Sequence, residues 1–137
     1  MAKSERQKAV EKADRAFSLY IRARDGASVL SGREENLNCG HLFTRARYST
    51  RWDEGNAFAQ TAGENMVHEH DPWPFYKFFI ETYGQAKFDE LYSKHHRPRR
   101  FITFELLQIA SYYNTKLHCL ELGCEPTCPI EGLSTEL

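Results

Sequence analysis

In the stretch NCGHLFTRARYSTRWDEGNAFAQTAGEN, from Asn38 to Asn65, a single histidine follows a glycine. Arg45, Arg47 and Arg51 come next, then Asn56 and Asn65. An imidazole with an ordinary pKa of about 6.5 exchanges protons near neutral pH, so His41 has the chemistry of a general base. Arginines grouped beside it suit phosphate oxygens and the charge that develops in phosphoryl transfer. Asparagine amide oxygens are ligands for hard cations. Each type also has a structural use: a histidine in a turn, an asparagine after the Asp53-Glu54-Gly55 turn, arginines solvated and balanced by Asp53 and Glu54.

The elements that must carry these residues follow from periodicity. Val10, Ala13, Phe17, Tyr20 and Ile21 recur at helical spacing and Asp25-Gly26 stops the run, which predicts an amphipathic helix over 4–24. Residues 26–70 are punctuated by Gly, Asn and Ser. Within them CGHLFT predicts a short strand, and STRWDEGNAFAQ a turn followed by a second short extended or helical piece. Irregular polar segments of this kind are where functional residues concentrate.

Asp71, Pro72 and Pro74 open a helix. Its Phe75, Phe78, Phe79 and Tyr83 form an aromatic stripe suited to a core, ending at Gly84. A short helix around 86–93 and another over 103–120 complete a C-terminal helical part, 72–120. Between them Lys94, His95, His96, Arg97, Arg99 and Arg100 make a basic loop broken by Pro98. Such a loop suits either plain solvation or contact with a nucleic-acid backbone, with affinity that falls as salt rises. Residues 121–137 show no periodicity and read as an irregular tail. The fold class is α+β, mainly helical: one domain with a small hairpin-like module packed among amphipathic helices.

Totals narrow the choice further. In 137 residues, 18 Lys+Arg face 19 Asp+Glu for a formal net charge of −1. A globally basic DNA-binding domain is excluded, and nucleic-acid contact has to come from local patches. No apolar run approaches the roughly 18 residues of a membrane span, and the N-terminal stretch lacks the apolar core of a secretory signal. A cytoplasmic protein without a membrane partner is expected. In that setting Cys39, Cys119, Cys124 and Cys128 predict no disulfide framework. The spacing of the last three is not that of a zinc site.

In the order FSLYIRARDG, CGHLFTRARYSTRWDEGNAFAQ and FFIETYGQAKFDEL, from Phe17 to Leu91, the chain resembles the NinG (Rap) family of phage recombination proteins. These are HNH-type endonucleases with a ββα-metal site that act on branched DNA such as Holliday junctions. The resemblance implies an HNH-like module over 26–70. It makes His41 the general base, Asn56 the residue that orients it or ties the hairpin, and Arg45 and Arg51 phosphate-directed side chains. Asn65 becomes a metal ligand, supported by Asn38 and by His68, with Mg²⁺ the expected ion and Mn²⁺ the next. Arg47, Lys94, Arg97, Arg99 and Arg100 are the expected DNA contacts, and a homodimer in the host-cell cytoplasm is the expected working form.

The departures are systematic. Ser28, Ser31, Thr61 and Glu64 stand where the family carries zinc-binding cysteines, and Asn38 stands where relatives often have aspartate. A structural zinc is not expected from such a set, and hydrogen bonds among the four residues are the expected local substitute. The alternative is a relative with weakened catalysis that binds DNA or a recombination partner without cutting.

Overall fold

The computed structural model describes residues 2–137 as six helices and a two-stranded antiparallel sheet. Helix α1 (Glu5–Asp25) begins in a capping box between Ser4 and Gln7 and ends at Gly26, whose φ of 69° is the left-handed conformation that glycine adopts without strain. Strand β1 (Leu37–His41) pairs with β2 (Ala57–Thr61) in a register that sets His41 against Ala57 and Asn38 against Gln60. A single turn, α2 (Tyr48–Arg51), lies in the connection between the strands, and α3 (Ala62–His68) follows β2 directly from a Thr61–Glu64 capping box. Then come α4 (Trp73–Tyr83), α5 (Gln85–His96) and α6 (Thr103–Leu122).

The hairpin divides the interior into two cores, because successive strand residues point to opposite faces. On one face Ala57 and Cys39 meet α1 and α6, whose Ala9, Ala13, Ala16, Phe17, Leu106 and Tyr113 are buried together with Trp52. The alanines let the two helices approach closely. On the other face Leu42, Phe43 and Phe58 pack against Phe75 and Phe79 of α4 and Leu91 of α5. Phe75 and Phe79 are thus core residues, as the aromatic stripe requires. No helix among the described residues is long and apolar enough to cross a membrane.

Three expectations need correction. The basic loop starts later than Lys94, since α5 continues through His96 and leaves only the residues from Arg97 onward as loop. The segment after α6 is irregular but packed: Ile130, Leu133 and Thr135 are buried. Finally, Cys119 and Cys124 form a disulfide. Gly123, at φ 72°, turns the chain back over the last turn of α6 and brings the two Cα atoms to 4.8 Å.

The fully buried Asp53 holds that last segment in place. Its carboxylate accepts hydrogen bonds from the Gly55 and Thr135 N–H groups, each at 2.8 Å, and from Thr135 Oγ1 and Lys94 Nζ, each at 2.7 Å. Removing one partner of a buried ion pair leaves the other uncompensated. Asp53→Ala is therefore expected to cost about 3 kcal/mol or more, measured as a lowered urea midpoint with the slope unchanged.

Candidate functional site

A cleft of about 1040 Å³ brings together Asn38, His41, Arg45, Asn65 and His68, contributed by β1, the loop after it and α3. His41, the last residue of β1, is half-buried against Phe17, ring centroids 5.9 Å apart. Its Nε2 lies 2.8 Å from the Arg51 carbonyl oxygen. A carbonyl can only accept, so Nε2 carries the hydrogen and the neutral ring keeps its lone pair on Nδ1. That is the tautomer a general base needs. Burial pushes the His41 pKa down to about 4; the hydrogen bond to the Arg51 carbonyl opposes this, and the Arg45 charge adds to it. His41 is uncharged at neutral pH.

The carbonyl is itself fixed. The Arg51 guanidinium grips Asp14 of α1 through Nε at 2.9 Å and Nη2 at 2.6 Å, and Trp52 Nε1 donates to the same carboxylate at 3.0 Å. Nη1 donates to the Arg45 carbonyl at 3.1 Å. The Arg51 side chain is thus turned toward α1 and is not part of the cleft lining. Its part in the site is played by its backbone, not by the phosphate contact expected of it.

Asn56 is fully buried. Its Oδ1 accepts from the Phe43 N–H at 2.9 Å, while Nδ2 donates to the carbonyls of Phe43 at 3.0 Å and Thr50 at 3.1 Å. Of its two expected roles this geometry selects the tie across the hairpin. In the cleft wall, burial pushes the Cys39 thiol up to about 12, which keeps it protonated and unreactive.

The expected metal ligands differ in availability. Asn38 is exposed on β1 and Asn65 is half-buried on α3, both facing the cleft. His68 donates from Nε2 to the Leu42 carbonyl at 3.1 Å and buries Nδ1, so it braces the loop after β1 and offers no free nitrogen at the cleft surface. Two carboxylates line the cleft, Asp14 and Glu69, and Asp14 is engaged by Arg51 and Trp52. No group of three His, Cys, Asp or Glu side chains among the described residues is placed to hold a metal. Magnesium is usually held by one or two carboxylates together with water and substrate phosphate oxygens, and Asn38 and Asn65 offer neutral amide oxygens in their place.

Among the expected DNA contacts, Arg45 is exposed at the cleft. Arg47, Arg97 and Arg100 are exposed outside its lining. Lys94 is bound to Asp53 and to the Leu133 carbonyl at 3.0 Å. It is a structural cation, since a lone buried carboxylate would otherwise be left unpaired. Arg99 donates to the Glu131 carbonyl and covers the Phe101 ring.

Ser28, Ser31, Thr61 and Glu64 converge. Glu64 Oε1 accepts from Ser28 Oγ at 2.6 Å and from the Thr61 N–H at 2.8 Å. Ser28 Oγ in turn accepts from the N–H groups of Leu30 and Ser31, at 3.1 and 3.2 Å. Burial raises the Glu64 pKa, but the hydrogen bonds from Ser28 and Thr61 outweigh it and hold the carboxyl below its ordinary value.

Asp14 carries none of the motif signals, although its position between Val10 and Phe17 sets a carboxylate at the edge of an apolar helical stripe. His95 is likewise buried, its Nδ1 2.8 Å from Thr50 Oγ1. No family model, curated protein or solved structure matches this chain.

Folded His41 takes up a proton near pH 4, whereas an unfolded histidine does so near 6.5. Between those values the unfolded chain holds the extra proton, so stability falls as pH falls through the window. The expected slope from this group is up to about 1.4 kcal/mol per pH unit. His95, also held low first by burial, adds to it in the same direction. Urea unfolding at a series of pH values checks this, and His41→Gln should flatten the dependence.

Proposed function

We propose that this chain is a metal-dependent DNA endonuclease of the HNH class that hydrolyses phosphodiesters in branched recombination intermediates of a phage or prophage. The observation that carries the reading is the cleft in which a neutral His41, its Nε2 fixed on a carbonyl, faces the same space as Asn38, Arg45 and Asn65. Two further observations support it. The β1–β2 hairpin, with the one-turn α2 in its connection, is followed directly by α3, the order that the expected ββα-metal module calls for. The residues at the four lost cysteine positions also meet in one corner although they lie far apart in sequence.

His41 Nδ1 takes a proton from water as the water oxygen bonds to phosphorus and the bond from phosphorus to the leaving deoxyribose oxygen breaks. Arg45 faces the phosphate and offsets the charge that builds on its oxygens. Asn38 and Asn65 are the residues that would hold magnesium, or manganese, together with the substrate's own phosphate. When bound, such an ion supplies Lewis-acid stabilisation of the scissile phosphate. A four-way junction requires two cuts, which calls for two copies of the chain on one substrate.

The second reading is a DNA-binding relative that no longer cuts. It is favoured by the neutral amides at both expected ligand positions and by the engagement of Asp14 elsewhere. One assay separates the two. A labelled four-way junction and a matched duplex are incubated with Mg²⁺, Mn²⁺ or EDTA, with His41→Ala run in parallel. The proposal expects metal-dependent cutting, preferring the junction, that drops by about 10²–10⁴-fold in the variant while binding is kept. Intact junction binding without cutting in any metal establishes the second reading.

The resemblance has its own test. Replacing Ser28, Ser31, Thr61 and Glu64 together with cysteine should create a tetrahedral thiolate site. One zinc ion per chain by mass spectrometry, removed by chelation with loss of stability, is the expected result; no zinc uptake refutes the correspondence.

A further inference from the structure

Helix α5 carries more aromatic surface than its packing uses. Leu91 and His95 are buried and Phe88 is partly buried, and these hold the helix in the fold. Tyr92 and His96 lie beside that face, four residues apart, so their side chains are neighbours on the helix surface. Both are exposed, Tyr92 by 51%, and both line the cleft that holds His41. Their ring centroids are 4.3 Å apart, with 39° between the planes.

The pair is held in place. His96 Nδ1 donates to the Tyr92 carbonyl at 2.9 Å, and Tyr92 meets the buried Phe43 edge-on, centroids 5.8 Å apart. Phe43 joins this wall to the candidate site, since it lies two residues after His41 and two before the exposed Arg45. Charge in the lining favours an anion. Arg22 and Arg45 outnumber Glu69 once the other lining carboxylate, Asp14, is paired with Arg51.

We propose that Tyr92 and His96 form a stacking platform in the cleft for an unpaired base next to the scissile phosphate. The inference rests on the reading of the cleft as a phosphodiester site, and it names the feature of DNA that the site selects. A groove with surplus positive charge and exposed aromatic rings is the combination that binds single strands, the charge tracking the backbone and the rings taking the bases. Every base has a π face, so the platform selects structure and not sequence. Unstacking costs least for a base that already lacks a partner. Bulged, branched or single-stranded DNA therefore reaches the platform more readily than continuous duplex does.

The test is binding in EDTA, where nothing is cut, followed by cleavage in Mg²⁺. Fluorescence anisotropy compares a continuous duplex with duplexes carrying one bulged adenine or one bulged abasic site. The adenine bulge is expected to bind about 10-fold tighter than the abasic one. Tyr92→Phe keeps the ring and should keep that preference. Tyr92→Leu keeps an apolar contact with Phe43 but removes the ring, and should erase the preference while leaving abasic affinity unchanged. In Tyr92→Trp the new indole should be quenched by the adenine bulge and not by the abasic one, beyond the wild-type signal of Trp52 and Trp73. Equal affinity for the two bulges, or a preference that survives Tyr92→Leu, overturns the platform; cutting in Mg²⁺ then leaves the endonuclease reading standing. The preference without any cutting supports the platform and counts against hydrolysis alone. Affinity for none of the three duplexes, with no cutting, overturns both.

Discussion

A connection between two strands normally runs over the surface, where water satisfies its polar groups. Here the connection from Thr50 to Asn56 is largely buried, and each of its polar side chains must find a partner in another element. Thr50 meets His95 of α5, Arg51 and Trp52 meet Asp14 of α1, Asp53 meets Lys94 and Thr135, and Glu54 meets Lys116 of α6. Asn56 closes the hairpin on itself through Phe43 and Thr50. The Trp52 carbonyl accepts from the buried hydroxyl of Tyr113. These bonds draw α1, α5, α6 and the last segment onto one short stretch of chain. Because so many are to charged or fully buried groups, few alternative packings would satisfy them all.

The geometry of His41 is a by-product of that arrangement. The imidazole is aimed by a backbone carbonyl, and the carbonyl belongs to a residue whose side chain is clamped by a carboxylate from another helix. The hydrogen-bond partner of the ring is main chain, so no side-chain rotation moves it. Preorganisation of this kind places the cost of orienting the ring in folding. The neutral state has the same origin, since the wall that orients the ring also keeps water from it.

What was legible in the sequence depended on whether an effect is local. The α1 stripe and the aromatic stripe of α4 could be read because packing at helical spacing writes itself into neighbouring positions. Asn38, His41, Arg45 and Asn65 were grouped from one short stretch of chain, and all four line one cleft. The fates of Arg51 and Lys94 could not be read. Their partners lie 37 and 41 residues away, and a basic side chain looks the same whether it faces water or a buried carboxylate. The one-turn α2 is too short to show a period. The last segment docks by isolated anchors, Ile130, Leu133 and Thr135, which leave no pattern either. The disulfide was missed because composition spoke about compartment, while the pairing follows from how Gly123 folds the chain back.

That reversal bears on how the last segment holds on. With Cys124 fastened to the end of α6, Thr135 is a ligand on a short leash, and its capture by Asp53 is an intramolecular binding event. Short flexible tethers give effective concentrations of roughly millimolar. Loosening the leash by a few residues changes closure by only a few tenths of a kcal/mol, about what a fractional increase in loop length costs. The staple therefore guards the end of α6 more than it tightens the grip. A solute competing for the Asp53 carboxylate has to outbid that local concentration, which makes the surface under the segment a seam rather than a site.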